Sequence, residues 1–358
     1  MIGITICVIM KNEERHLDAF LSYIEKNILR EAREFVYEIL LVDTGSEDGS
    51  IAIAKKHGVR VETFSWRNDF SAARNAAIAM ASYDWIMVLD CDEYVKSFEE
   101  QSLLAFIQQK PHEVGLLVRK NYSDANGMKQ CFTDEAERFF HRNEYHYENI
   151  IHEQVRRNDG MDYRRIRISL EVEHVGYCGQ EADVKQKAKR NLELLLVELE
   201  ENPEDPYLYF QIGQSNQVLG DTEKAYEYFG KGLQYDVDPK AKYVQMMVNG
   251  YGYAMLGTGR EREALGYQSI YSEFCHNADF LTLMGLIYLR NGEVDKAIAE
   301  FENALQCKNA DTNGTNSFIP AYNLGCIYEV LGDTEKARKY YISCGEFAPA
   351  QNRLNNIS

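Results

Sequence analysis

The stretch Trp85-Ile86-Met87-Val88-Leu89-Asp90-Cys91-Asp92-Glu93 is an apolar run that ends abruptly in three carboxylates. A short, continuous apolar run of this kind predicts a strand buried on both faces of a sheet. In an open α/β sheet, ligands bind beyond the carboxyl ends of the strands, so these acids stand where a site is expected. Oxygen ligands on a rigid strand end suit Mg2+ or Mn2+, ions that keep coordination positions open for diphosphate oxygens. A bare D-x-D also fits a solvated acidic loop, and its surroundings decide between the two.

Working outward, Ile4–Met10, Glu38–Val42 and Arg60–Phe64 are further β-rich apolar runs, and with Trp85–Leu89 they predict four strands. Between them Glu13–Arg30, Asp48–His57 and Phe70–Ala81 carry apolar residues at helical spacing. The alternation predicts βαβ units around a mostly parallel sheet. The segment from Thr44 to Ser50 is rich in turn residues, with Ser46 or Asp48 placed to cap the helix after it.

Beyond about Gly179 the pattern becomes nearly pure helix, and from Pro206 it repeats. A glycine, an alanine and then an aromatic or polar residue recur at fixed offsets: Gly213/Ala225/Phe229, Gly252/Ala264/Gln268, Gly285/Ala297/Phe301 and Gly325/Ala337/Tyr341. The intervals scatter around the roughly 34 residues of a tetratricopeptide repeat, a helical hairpin in which small residues allow close approach and an aromatic fills the groove. The second unit departs from the pattern at Gln268, and Asn309–Ser317 reads as an inserted loop. A concave repeat face suits an extended peptide or a partner protein.

At 358 residues and 45% hydrophobic, the chain can bury two domain cores. The net charge of −17 and an isoelectric point near 5.0 argue against nucleic acid, whose phosphates would be repelled. A nucleotide diphosphate is still admissible if a divalent cation supplies positive charge. The eight cysteines are scattered without a C-x-x-C pair, as expected of reduced thiols in a cytoplasmic protein. Ile2–Met10 lacks the flanks of a signal peptide, and no stretch approaches the roughly 18 apolar residues of a membrane span.

The chain resembles the family-2 glycosyltransferases of GT-A fold, particularly bacterial members that carry tetratricopeptide repeats. The matching text is Ile6-Cys7-Val8-Ile9-Met10-Lys11-Asn12-Glu13-Glu14, the run Leu41 to Ser50, Asp69-Phe70-Ser71-Ala72-Ala73-Arg74-Asn75, the stretch Trp85 to Glu93, and Ile151-His152-Glu153-Gln154. The resemblance implies an α/β, Rossmann-like nucleotide-diphospho-sugar transferase domain over residues 1–180, a connecting helix over 181–205 and an all-α tetratricopeptide domain over 206–358.

Carried over position by position, the resemblance implies that Asn12 and Glu13 border the nucleotide and that Asp43 bonds its uracil or ribose. An aspartate there could instead cap the next helix. Arg74 would face the nucleotide or diphosphate, Asp90 the sugar or ribose, and Asp92 the metal. His174 would complete the metal site, or pack locally. The general base would be Glu153, with His152 as the alternative. Arg138 and Arg142 are readable as phosphate or acceptor contacts, or as alternate faces of a strand. Trp66, Tyr145 and Tyr147 are readable as sugar platforms or as core.

The implied activity is metal-dependent, inverting, non-processive transfer of one sugar from a nucleotide sugar, expected to be a UDP-hexose. No Q-x-x-R-W element of processive members is present. The architecture also resembles the sublancin-type peptide glycosyltransferases, which implies a Cys or Ser side chain of a peptide as acceptor. A saccharide or lipid-linked acceptor is the alternative within the same chemistry, and a non-catalytic repeat scaffold the alternative outside it. Exposed repeat faces could also pair two copies into a homodimer.

Overall fold

The structure is a computed structural model and describes residues 1–125, 128–175 and 181–357. Cys178 and the domain boundary expected at residue 180 lie outside the described residues, as does the side chain of Cys131. The chain divides into two compact units, Met1–Leu194 and Leu195–Ser358.

The first unit opens with β1 (Ile2–Met10), α1 (Glu14–Asn27), β2 (Phe35–Asp43), α2 (Ser50–Lys56), β3 (Arg60–Thr63), α3 (Phe70–Met80) and β4 (Trp85–Val88). It continues with β5 (Glu93–Phe98), α4 (Glu100–Gln109), β6 (Val114–Ala125), β7 (Met128–His141), β8 (Tyr145–Glu148), β9 (Gln154–Arg157) and β10 (Arg165–His174). β1 pairs in parallel with β2, from Ile2 opposite Phe35 to Met10 opposite Asp43. β4 flanks β1 on the other side, with Cys7 opposite Val88. These strands therefore end level, and the loops after β1, β2 and β4 emerge along one edge of the sheet. Side chains alternate between two buried faces: Ile4, Ile6, Val8 and Met87 enter one core, and Cys7, Leu40, Val42 and Val88 the other.

The expectation of a mostly parallel sheet is corrected. The sheet is mixed, in the order β3-β2-β1-β4-β7-β6-β10-β5, and the βαβ part is confined to its first four strands. β6 and β7 form a hairpin, a connection too short for parallel pairing, and β7 then lies antiparallel to β4. Trp85 fixes that junction by stacking on Phe139 with ring centroids 5.1 Å apart.

The expected cap of α2 is corrected too. Gly49 occupies the cap position without a side-chain bond. Ser46 Oγ accepts from Asn12 N at 2.9 Å and an Asp48 oxygen accepts from Glu14 N at 3.0 Å. Ser46 thus laces the loop after β2 to the loop after β1, whereas Asp48 does so with one oxygen and with the other accepts from Ser50 N, the first residue of α2, at 3.0 Å.

A long helix, α5 (Glu181–Glu201), contains the division between the units. In the second unit, α6 (Pro206–Leu219) and α7 (Thr222–Gly232) form the first hairpin. α8 (Lys242–Gly257) is followed by α9 (Glu261–Ala264), a 3-10 segment Leu265–Ile270 and α10 (Tyr271–Phe274). Then α11 (Ala278–Arg290) pairs with α12 (Val294–Gln306), and α13 (Phe318–Val330) with α14 (Thr334–Ser343), before α15 (Ala348–Leu354).

The glycine–aromatic offsets acquire a physical meaning here. A Cβ on Gly213 would lie 2.4 Å from Phe229, on Gly285 2.5 Å from Phe301, and on Gly325 2.5 Å from Tyr341. In each hairpin the aromatic of the second helix lies against bare backbone of the first. In the second repeat Gln268 is exposed, and the space beside Gly252 is taken by Leu283 of the following repeat. The inserted loop is held by the buried Asp279, whose carboxylate accepts from Asp311 N at 2.8 Å, Thr312 N at 3.1 Å and Thr315 Oγ1 at 3.0 Å.

Gly285→Ala drives a methyl into the Phe301 ring and is expected to cost about 1–3 kcal/mol, as overpacking does. Gly266→Ala, whose Cβ meets nothing within 4 Å, is the matched control and leaves the urea and thermal midpoints unchanged or slightly raised.

Candidate active site

Asp90 and Asp92 lie in the turn between β4 and β5, on the edge where β1 and β2 also end. Cys91 between them is buried among Leu89 and Val95 and serves only packing. The two acids have different surroundings. Asp90 is gripped by two buried guanidiniums: Arg74 Nη2 donates to Oδ1 at 3.0 Å and Arg138 Nη2 to Oδ2 at 2.6 Å. Burial alone would raise the Asp90 carboxyl, but Arg138 and Arg74 hold it well below the usual carboxylate range.

The grip extends in both directions. Arg74 Nε donates to Glu153 at 2.8 Å. Arg138 also donates to the fully buried Glu93 at 3.0 Å. Glu93 in turn accepts from Asp90 N at 3.0 Å and lies 3.4 Å from Arg119. Burial pushes the Glu93 carboxyl up against the pull of Arg138. Arg119 then forms two bonds to Asp134, at 2.9 and 2.7 Å. The result is an alternating chain of acids and guanidiniums running beneath the turn.

Asp92 points elsewhere. His174, at the end of β10, places Nε2 3.4 Å from Asp92 Oδ2. The imidazole is aimed by Asn121, whose Oδ1 lies 2.7 Å from Nδ1 and whose amide donates to Asp134 at 3.0 Å. That bond makes Nδ1 the donor to Asn121 and leaves Nε2 facing the carboxylate, the nitrogen through which a neutral imidazole would ligate a metal. Glu13 lies in the same acidic field, and burial together with the Asp92 charge pushes its carboxyl up to about 7. A carboxylate and an imidazole nitrogen facing each other inside an excess of negative charge fit a divalent cation. Among the described residues no three His, Cys, Asp or Glu side chains gather as a metal cluster, so the remaining ligands would come from a substrate and water.

The other expected residues fall as follows. Asp43 is buried, and its carboxylate accepts from Gly45 N at 3.1 Å and Ser46 N at 3.2 Å; in this structure it shapes the turn after β2 and does not cap α2. Asn12 accepts from Glu47 N at 2.8 Å. Arg74 is committed to Asp90 and Glu153, although its Nη1 is buried without a partner. His152 is exposed, one residue before Glu153. Asn12, Asn68, Asn149 and His152 adopt left-handed backbone, with φ of 56°, 59°, 72° and 55°, and His152 alone among these four lacks the short amide that suits it. The segment is anchored to α3 by Asn75, which exchanges bonds of 2.8 and 2.9 Å with the Tyr147 backbone, and by Phe70 N to Ile150 O at 2.9 Å. Arg142 bonds Asp84 at 2.9 Å, away from the acids. Tyr145 and Tyr147 are core residues.

At the same sheet edge, by the loops after β1 and β2, lies a cavity of about 350 Å³ lined by Lys11, Asn12, Thr44, Trp66, Phe70, Gln186 and Arg190. Trp66 meets Phe70 edge-on at 4.8 Å, and the Arg190 guanidinium lies 5.1 Å from the Phe70 ring centre. From the same helix Lys187 places Nζ 3.8 Å from Asp92. The sequence reading missed Lys187 and Arg190, because a helix with exposed cations looks like any solvated connector. Their spacing of three residues, which puts them on one face, was the available signal.

Residues 5–160 match the family model Glycosyl transferase family 2, and residues 206–237, 278–311 and 321–351 match the tetratricopeptide repeat. The irregular second hairpin falls outside all three repeat matches. The chain thus carries a family 2 glycosyltransferase domain followed by tetratricopeptide repeats. A TPR repeat-containing protein of Synechococcus elongatus is 26% identical over 315 residues, covering 86% of this chain and 66% of that protein. The glycosyltransferase SunS of Bacillus subtilis is 26% identical over 235 residues, covering 64% of this chain and 53% of its own. The chain therefore spans between about half and two thirds of the length of these relatives. The crystal structure of S. aureus TarS is similar at 14% identity and a TM-score of 0.38, covering 74% of this chain and 54% of that one. Among the described residues no helix is long and apolar enough to cross a membrane.

Arg138→Leu strips Asp90 and Glu93 of a shared partner and leaves buried charge uncompensated. It is expected to cost about 3–5 kcal/mol in urea unfolding of the first unit. Arg142→Leu, four residues along the chain and bonded to the exposed Asp84, is expected to cost about 1 kcal/mol or less.

Proposed function

We propose that this chain is a glycosyltransferase that moves one sugar from a UDP-hexose, with inversion at the anomeric carbon, to a Cys or Ser side chain of a peptide. The observation that supports the transfer reading is the pairing of Asp92 with His174 at the sheet edge where β1, β2 and β4 end, an edge that also carries a cavity lined by Lys11, Asn12 and Thr44 from the loops after β1 and β2. The cavity is of a size that suits a nucleotide, with Trp66 and Phe70 as apolar surface for the base and Lys11 and Arg190 as charge for phosphates. The peptide acceptor is supported by the repeats and by the sequence resemblance to peptide glycosyltransferases.

In this reading the acceptor Sγ or Oγ attacks the anomeric carbon from the face opposite the diphosphate. The new carbon–sulfur or carbon–oxygen bond forms as the bond to the β-phosphate oxygen breaks, and that electron pair leaves with UDP. The acceptor proton passes to Glu153, whose carboxylate Arg74 keeps oriented, with His152 as the alternative base. Asp92 and His174 would hold Mg2+ or Mn2+, which would offset charge developing on the departing diphosphate. Lys187 adds positive charge at the same place. Asp90, held by Arg74 and Arg138, fixes the turn that presents Asp92, and the unfilled donor on Arg74 offers a bond to a donor oxygen.

Slow hydrolysis of one member of a UDP-sugar panel by the purified chain in Mn2+ is the expected signature. EDTA or Asp92→Ala should lower it at least about 100-fold; full activity in both would sink the metal role. Glu153→Gln is expected to reduce transfer to a peptide thiol about 10²–10⁴-fold while UDP still raises the melting temperature. Loss of that UDP response as well would place Glu153 in donor binding.

A further inference from the structure

The second repeat lacks the packing that its neighbours share. Phe229, Phe301 and Tyr341 fill the groove of their own hairpins, whereas Gln268 is exposed. The helix that should answer α8 is broken into α9, a 3-10 segment and α10. A regular second helix would cover α8 along its length; the broken one leaves a cavity of about 440 Å³.

The floor of that cavity is a helical stripe of α8, Val244, Val248, Tyr251 and Met255, at spacings of four, three and four residues. Tyr267 and Phe274 form buried walls, and Tyr267 is locked there by its hydroxyl, which donates to Val248 O at 2.6 Å. The rim has the opposite character. Asp236 from the connector after α7, Glu263 from α9 and Glu273 beside Phe274 in α10 line the opening and are exposed. Among the described residues neither Asp236 nor Glu273 has a Lys or Arg within ion-pair distance, and Glu263 accepts only a tyrosine hydroxyl, from Tyr226 at 2.8 Å.

We infer that this cavity is a docking site for a cationic amphipathic peptide segment, which seats large apolar side chains on the α8 stripe and sets Lys or Arg against the acidic rim. The volume accommodates more than one large side chain, as one turn of an amphipathic helix would present them. The three acids come from three separate segments of the chain, a spread that a polymer meets more readily than a small molecule. Exposed ion pairs add little affinity individually, but one sign of charge around an apolar floor speeds encounter and rejects acidic sequences. The site is independent of the sugar-transfer reading and would serve any basic polypeptide.

Gly266 provides the test. It lines the cavity, its Cβ direction is open, and its backbone is not left-handed, so Gly266→Phe puts a ring into the cavity without displacing the core. Three fluorescein-labelled peptides of equal length, built from Leu and Lys, Leu and Glu, or Ser and Lys, are titrated with the full chain by anisotropy. The Leu/Lys peptide is expected to bind at least about ten-fold more tightly than the other two, a difference of about 1.4 kcal/mol. Gly266→Phe should remove that advantage at unchanged melting temperature. The surface variant Asp236→Asn/Glu273→Gln, which leaves the packing intact, should weaken Leu/Lys binding and bring Leu/Glu closer to it. Equal binding of Ser/Lys and Leu/Lys, or Leu/Lys binding insensitive to both variants, overturns the proposal and leaves only attraction to an acidic chain. UDP-sugar hydrolysis should be the same in all these variants, so failure here leaves the transfer reading untouched.

Discussion

Charged side chains are costly to bury, by several kcal/mol each, unless each finds partners of opposite sign in good geometry. The first unit buries several at once. Glu153, Arg74, Asp90, Arg138, Glu93, Arg119 and Asp134 form one alternating line. It joins the loop after β8, helix α3, the β4–β5 turn and strands β7 and β6. Hydrogen bonding along the sheet connects β4 to β7, and backbone bonds from Glu93 N to Asp90 O and from Val175 N to Asp92 O close the turn beyond β4. The ionic line adds side-chain ties from that turn to α3, β6 and β7. Every acid–base pair in it joins residues distant in sequence, so the turn reaches its final shape only when both halves of the sheet are in place.

This accounts for the unequal fates of two aspartates one residue apart. A side chain pinned by two guanidiniums is a fixed point and a poor ligand, because any cation approaching Asp90 would compete with charges already there. Asp92 leans out of the same turn, towards a histidine whose orientation is set by Asn121 and Asp134, the far end of the same line. One network thus holds both the carboxylate and the imidazole. Glu13 is raised first by its own burial and then by the Asp92 charge, which Lys187 offsets only in part.

The strands of the βαβ part were legible because burial on both faces leaves an unbroken apolar run, and the acids after β4 were legible because they interrupt one. The repeats were legible because a fixed offset between glycine and aromatic is a contact written into sequence. Arg138 could be placed on a strand, but its partners lie some 45 residues away and no local pattern encodes them. Asp43 was read as a ligand or a cap, and its carboxylate turned back onto its own loop, since an aspartate beside a glycine-containing turn finds backbone N–H groups close at hand. Lys187 and Arg190 were invisible for the opposite reason: surface cations on a helix are ordinary, and only the approach of that helix to the sheet edge makes these two unusual.

The second repeat shows what one departure from a pattern can do. Replacing an aromatic by glutamine removes a buried ring, and the regular helix that should carry it does not form. The fold does not collapse, because Leu283 from the next repeat takes the place beside Gly252 and Tyr267 bonds the backbone of α8. Those two compensations preserve the stack and keep Val244, Val248 and Met255 of α8 buried, while the broken segment leaves a cavity against them. Packing lost within the hairpin is thereby restored between neighbouring repeats, and the deficit appears as an apolar hollow ringed by acids. A position that breaks the local rule and is structurally compensated elsewhere is where a binding surface is to be sought.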